Sequence, residues 1–194
     1  MASRDYRAGM EPVLRPALAP DETLLAVSGL VKDPGTTDAG LVAEELKQLL
    51  DPAVHSGLGS ASGKLIQQAA FGRALVGSPE SMAGRLFSQV EAAGGPTIAV
   101  TATAVIIFDV GIRPRGDSLL QRWFGAVDHV AKLLYRVPRN NVIGARRVPL
   151  GMLRRGRIVM AFVDGSGCAL VCAPPSLADP IATAIGVPNP GTLP

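Results

Sequence analysis

Between residues 96 and 173 the chain alternates short apolar, β-branched segments with turn-forming residues. Segments of this length with a period of two are typical of antiparallel strands. The Asp-Gly-Ser-Gly sequence at 164–167 is typical of a hairpin turn, because Asp and Gly tolerate the positive φ angles that such turns need. The pattern predicts six strands in succession: 96–100, 104–110, 131–138, 142–148, 157–163 and 168–173. The third should carry Leu133, Tyr135 and Val137 on one face, and a short helix is predicted before it at 119–130.

The first half of the chain carries a different pattern. Residues 21–32 form one further apolar run of strand length, between Pro20 and Asp33-Pro34-Gly35. From 38 to 95 the apolar period is helical, which predicts a helical insert after the first strand. Its helices are expected before Pro52, at about 64–75, and from a Ser78 cap to Gly94-Gly95-Pro96. Residues 1–20, which contain three prolines, are interpreted as an N-terminal arm.

The last element is an amphipathic helix over 176–185. Ser176 is the expected N-cap, and Leu177, Ile181, Ala184 and Ile185 form an apolar stripe that ends at Gly186. Seven antiparallel strands with short turns predict a barrel or sandwich, and this helix would cover its open end. Residues 21–186 are therefore expected to form a single domain, followed by an extended, Pro-rich tail at 187–194.

Several short patterns carry a family resemblance. They are Asp-Glu-Thr-Leu-Leu-Ala-Val at 21–27, the apolar stretch 98–108, Tyr-Arg-Val-Pro at 135–138, the strand 142–148, Arg-Ile-Val-Met-Ala-Phe-Val-Asp-Gly at 157–165 and the helix 177–185. In this order they resemble the pleckstrin-homology (PH)-like superfold, and most closely the PH-like (GRAM-like) domain proteins of actinobacteria. The resemblance implies an α+β fold: a PH-like, seven-stranded antiparallel barrel or sandwich with a C-terminal capping helix and a helical insert after the first strand. It leaves function open, because this fold hosts lipid, peptide and protein binding alike.

Composition excludes several classes of protein. Hydrophobic residues make up 47% of the 194 residues and charged residues 18%, a balance that a disordered chain does not have. The longest apolar stretch, 97–108, is shorter than the roughly 20 residues that a membrane span needs, and residues 1–11 lack the apolar segment of a signal peptide. A cytoplasmic location is the expectation.

Candidate catalytic and metal-binding residues are few. Cys168 and Cys172, four residues apart in a predicted strand, would lie roughly 13 Å apart, too far for a disulfide or a shared zinc ion. The Gly-rich segment 57–64 departs from a phosphate-binding loop, because Leu58 occupies the first glycine position and Leu65 follows Lys64. His129 follows Asp128 with no identifiable nucleophile. We therefore expect no enzyme activity, cofactor or metal.

Arginine is concentrated in one part of the chain. Residues 113–157 hold eleven cations against two acids, whereas 21–51 hold seven acids against two lysines. The arginines could pair with the acidic half within or between subunits, contact a protein partner, or bind anionic lipid or nucleic acid. The aromatic content of 4% argues against nucleic acid, which is bound by stacking. The candidate anion or partner contacts are Arg113, Arg115, Arg122, Arg146, Arg147, Arg154, Arg155 and Arg157.

The insert suggests self-association. Short helices joined by Gly-rich links do not bury all their apolar side chains alone, so an exposed patch is expected to contact a second copy, as in a homodimer. The candidate residues are Leu65, Ile66, Phe71, Leu75 and Val76. Alternatively, the insert folds back into the barrel. The sequence thus predicts a non-catalytic PH-like module for protein binding or assembly. The alternative is a peripheral membrane module that binds anionic lipid through an Arg-rich surface.

Overall fold

The computed structural model describes residues 3–31, 33, 36–37, 73–114, 127–148 and 155–186. These residues form three α-helices and nine strands, and all seven predicted strands are among them. The helices are α1 (Ser3–Leu14), α2 (Met82–Ala92) and α3 (Ala178–Ile185). The strands are β1 (Leu24–Val31), β2 (Thr36–Thr37), β3 (Arg73–Val76), β4 (Pro96–Thr101), β5 (Ala104–Pro114), β6 (Val127–Pro138), β7 (Val142–Arg147), β8 (Arg157–Phe162) and β9 (Gly167–Ala173).

Two antiparallel meanders share one sheet. The first is β1–β4–β5–β6 and the second is β7–β8–β9, and they join where Leu30 of β1 pairs with Cys172 of β9. The expected closure of the barrel is not found. In the described part of the chain, β6 and β7 do not pair with each other, and no other strand lies between them in the sheet. The 3₁₀ turn Arg139–Asn141 separates these two strands, and α3 packs along β7 instead, where the Ala145 amide donates to the Gly186 carbonyl at 2.9 Å.

β3 is a strand that the sequence did not predict. The helix expected at about 64–75 is wrong at its C-terminal end, because Leu75 pairs with Cys168 of β9. On this side of β9, β1 pairs with residues 171–173. The earlier residues Gly167 and Cys168 pair there with β3 instead. Residues 64–72, and the helix expected before Pro52, lie outside the described residues.

The main core lies on the face of the sheet that α2 and α3 cover. Ile98, Ile107, Ile158 and Leu170 pack there against the apolar stripes of α2 and α3. Leu86, Phe87 and Val90 of α2 are buried, and the stripe predicted for α3 is confirmed, with Leu177, Ile181 and Ile185 buried. This described part of the insert therefore packs against the sheet.

A second core lies on the opposite face of β1, β4 and β5, beneath α1. Leu14 of α1 and Leu18 pack there against Val27, Ile106 and Phe108. The interpretation of 1–20 as an arm thus missed a helix. Its pattern is masked by Pro12, which lies inside α1, and most of its stabilisation comes from this packing rather than from helix propensity.

Both predicted helix caps are wrong. Ser81, not Ser78, caps α2: its Oγ accepts from the Gly84 amide at 3.1 Å, whereas the Ser78 carbonyl accepts from Ser81. Ser176 lies in a 3₁₀ turn, Pro175–Leu177, that precedes α3 and carries no side-chain cap. The predicted end of α3 at Gly186 is confirmed by its φ of +90°, which favours glycine.

The β5–β6 hairpin corrects two further expectations. Residues 127–130 pair with β5 and are not helical; residues 119–126 lie outside the described residues. A bulge at Leu134 skips one residue between the pairs Phe108–Leu133 and Ile107–Tyr135. Because strand side chains alternate, the extra residue places Leu133 on the face opposite Tyr135 and Val137.

The β8–β9 turn holds the N-terminus of α2. Gly165 has a φ of +78°, as expected for the Asp-Gly turn. Asp164 Oδ2 accepts from the Met82 amide at 2.8 Å, and Ser166 Oγ accepts from the Ala83 amide at 3.1 Å. Burial acts to raise the pKa of Asp164. The hydrogen bonds that Asp164 accepts from the Met82 amide and from Ser166 outweigh burial and lower the pKa. The interpretation of Ser166 as a turn residue is confirmed.

Candidate functional site

A groove of about 370 Å³ runs along the face of the second meander opposite the main core. Side chains alternate along a strand, so residues two apart in β8 and β9 reach this side while Ile158, Met160 and Leu170 enter the core. We call this cavity the β7–β9 groove. It is lined by Ala74, Val76, Arg146, Val148, Arg157, Val159, Gly167, Cys168 and Ala169. Apart from Arg146 and Arg157, the lining side chains are small or valine.

Arg157 is held in the groove by a buried ion pair. Its Nε donates to Asp33 Oδ2 at 2.8 Å, and the two side chains are 6% and 0% exposed. Such a pair orients the planar guanidinium, since the carboxylate engages one edge of the fork. Arg157, one of the predicted anion or partner contacts, thus has its side chain buried rather than on the open surface.

Arg146 supplies the second guanidinium of the groove. It pairs with Val159 across the β7–β8 ladder, and Val159 and Arg157 are two residues apart in β8. Arg146 and Arg157 therefore lie on the same side of the sheet. Arg146 is exposed. Among the described lining residues and Asp33 there are two cations and one anion, and the charges of Arg157 and Asp33 oppose each other in their ion pair.

The other predicted arginines do not join this pair. Arg147 NH1 donates to Asp179 Oδ2 of α3 at 2.7 Å, and its Nε donates to the Arg155 carbonyl at 2.9 Å. Arg155 is exposed in the turn before β8, and Arg113 belongs to β5, away from the residues that line the groove. Arg115, Arg122 and Arg154 lie outside the described residues.

The residues predicted for self-association are also dispersed. Leu75 is buried in the main core and cannot form part of an exposed patch. Val76 is half-buried and lines the β7–β9 groove. Leu65, Ile66 and Phe71 lie outside the described residues.

The thiols are poor nucleophiles. Burial raises the pKa of Cys168, which lines the groove, to about 12. Burial also raises the pKa of Cys172 to about 11, although a hydrogen bond with Ser28 acts in the opposite direction. Both are free cysteines and stay protonated at neutral pH. Within the described ranges, no group of three or more His, Cys, Asp or Glu residues could hold a metal ion.

Glu22 is a buried polar residue that the sequence did not single out. Its carboxylate accepts from Thr101 Oγ1 at 2.5 Å, from Thr103 Oγ1 at 2.8 Å, and from both terminal nitrogens of Arg136 at 3.0 and 2.8 Å. These bonds join the start of β1 to the β4–β5 turn and to β6. Burial acts to raise the pKa of Glu22, but the bonds from Thr101, Thr103 and Arg136 outweigh it and lower the pKa.

Glu22 should make stability sensitive to acid. A carboxyl group whose pKa is lower in the folded state contributes stability above its ordinary pKa of 4.5, and loses it as the pH falls through the folded value. We expect the unfolding free energy to fall more steeply with acid in the wild type than in Glu22→Gln. Denaturant titrations between about pH 6 and pH 3 measure this, with Asp164 supplying the dependence that remains. Equal slopes for the two proteins would contradict the assignment.

Comparison with known families, curated proteins and solved structures finds no match to this chain. A search of the described helices for one long and apolar enough to cross a bilayer finds none.

Proposed function

We propose that this chain is a non-catalytic, PH-like binding module that holds an acidic segment of a partner protein in the β7–β9 groove. The observation that carries the proposal is the convergence of exposed Arg146 and buried Arg157 on one concave cavity. Guanidinium groups bind carboxylates through paired hydrogen bonds, and a preoriented group loses less entropy on binding.

The order of elements supports the PH-like part of this proposal. Apart from β2 and β3, the described strands are seven strands in antiparallel pairs, followed by a C-terminal helix that packs in the main core. This is the order that the sequence resemblance implies. The additional strands β2 and β3 lie in the connection between β1 and β4, which is the part of the chain where the insert was expected.

The shape of the groove favours a peptide over a bilayer. Arg157 is buried beneath the surface, and β3 contributes Ala74 and Val76 to the lining. A Glu or Asp side chain can enter such a cavity with its apolar neighbours against the valines, whereas a flat membrane contacts only protruding groups. Arg147, which a membrane-binding surface would need, is engaged by Asp179.

The groove also fits a non-catalytic role. Among its described lining residues, the titratable groups are two arginines and Cys168, whose thiol belongs to the main core and has its pKa raised to about 12 by burial. General acid–base or nucleophilic catalysis needs a group whose pKa is matched to the working pH.

An Arg146→Ala variant tests the proposal. A fluorescent Glu-rich peptide with interspersed valines is titrated with the protein, and binding is measured by anisotropy at low and physiological salt. We expect Arg146→Ala to raise the Kd about ten- to a hundredfold, as for loss of a charge-assisted hydrogen bond. Arg85→Ala, which removes the same charge from an exposed position of α2, should leave the Kd nearly unchanged.

A parallel measurement separates the peripheral membrane alternative. Sedimentation with vesicles of phosphatidylcholine, with and without phosphatidylserine, is compared for the wild type and Arg146→Ala. Salt-sensitive binding to the anionic vesicles without binding to the peptide would favour the membrane function. Equal effects of Arg146→Ala and Arg85→Ala on peptide binding would exclude the groove as the site.

A further inference from the structure

β6 forms an edge of the sheet. It pairs with β5 along one side, and no strand in the described part of the chain pairs with its other side. Exposed apolar side chains lie close to this edge: Val130 is 46% and Leu133 39% exposed, and Ile112 on the neighbouring strand is 66% exposed. A long edge strand with exposed apolar residues is where another strand adds to a sheet.

The sequence of β6 is self-complementary in charge. Asp128, Val130 and Lys132 are alternate residues and therefore lie on one face. In an antiparallel pair of two β6 strands centred on Val130, Asp128 of each copy lies opposite Lys132 of the other. Opposite charges in directly facing positions stabilise an antiparallel pair, and like charges destabilise it.

The neighbouring strand continues the same alternation. Within one chain, Lys132 pairs in register with Asp109 of β5, and Asp128 pairs in register with Arg113. Joining two β6 edges would therefore give two rows across the sheet that alternate in sign: Asp109, Lys132, then Asp128 of the second copy. Asp128 also takes part in an interaction within its own chain.

We infer that the free edge of β6 binds a second copy of this chain, in an antiparallel strand pair centred on Val130. The charge pattern selects this arrangement among the alternatives. A parallel pair in register would place Asp128 opposite Asp128, and an antiparallel pair centred on Ala131 would place Asp128 opposite Leu134. An antiparallel pair centred on Val130 has a twofold axis at that residue and forms a closed dimer. Twofold dimers are the commonest homo-oligomers.

Charge reversal and charge exchange test this dimer. Sedimentation velocity over a wide range of protein concentration gives the dimer Kd for the wild type, Lys132→Glu and the double variant Asp128→Lys/Lys132→Asp. Lys132→Glu places like charges opposite each other twice, so we expect its Kd to rise about ten- to a hundredfold. The double variant restores opposite charges at both positions between the copies. It shares with Lys132→Glu the like charge opposite Asp109 within each chain, so we expect it to regain part of the affinity that Lys132→Glu loses.

The matched control is Arg85→Glu, which reverses a charge on the exposed side of α2 and should not change the dimer Kd. Circular dichroism melting of each variant identifies any that is unfolded. The inference is overturned if the wild type is monomeric at every concentration, if Lys132→Glu dimerises as the wild type does, or if the double variant, folded, fails to recover.

Discussion

Replacing Ile181 with Asp should lower the free energy of unfolding by about 4 kcal/mol or more, which is a large fraction of the stability of a domain this size. Ile181 is fully buried in the main core, where α3 packs against β1, β4 and β7. The substitution removes apolar contacts and places a carboxylate where no water reaches it. Urea unfolding followed by circular dichroism gives the change.

The control for this result is Thr183→Asp, which adds the same group to the exposed side of the same helix. It should cost at most about 1 kcal/mol, because the only unfavourable contribution is a negative charge near the C-terminal end of α3. If Ile181→Asp were no more destabilising than Thr183→Asp, α3 would not be part of the core.

Replacing Asp33 with Ala should cost about 3–5 kcal/mol, since it removes the carboxylate at 2.8 Å from a buried guanidinium. Arg157 would then remain inside the protein without that counter-charge. Asp179→Ala is the matched comparison, because it removes the carboxylate of the Arg147–Asp179 pair, whose side chains are much more exposed. That pair should contribute no more than about 1 kcal/mol.

Denaturant unfolding of both variants against the wild type decides this prediction. A large loss for Asp33→Ala and a small one for Asp179→Ala is the expected pattern. Similar small losses would mean that Arg157 can turn outward to water, and the groove would then lack its fixed cation.

The strands and the last helix could be predicted because their signals are local. β8 and β9 have apolar runs on both sides of an Asp-Gly turn, and α3 has a stripe that ends at a glycine. β3 and α1 could not be predicted in the same way. β3 has four residues and depends on the available edge of β9, and α1 contains a proline and depends on the burial of Leu14.

The candidate site was predictable only in part. The sequence indicated an excess of arginines, but which of them converge depends on register: Arg146 and Arg147 are neighbours, and β7 directs them to opposite faces. The partner of Arg157 could not be found, because Asp33 lies 124 residues earlier in the chain. Glu22 was missed for the same reason, since Thr101, Thr103 and Arg136 approach it only after β1, β4 and β6 assemble.

The most direct test of the proposed function is a two-dimensional amide NMR titration of the full chain with the Glu-rich peptide. Binding in the β7–β9 groove predicts that the amides of Arg146, Val159 and Ala169 shift together with increasing peptide, while those of α1 and the β5–β6 hairpin do not. The same titration of Arg146→Ala should produce much smaller shifts. Saturating shifts confined to another surface, or none at low salt, would contradict the assignment of this groove as the binding site.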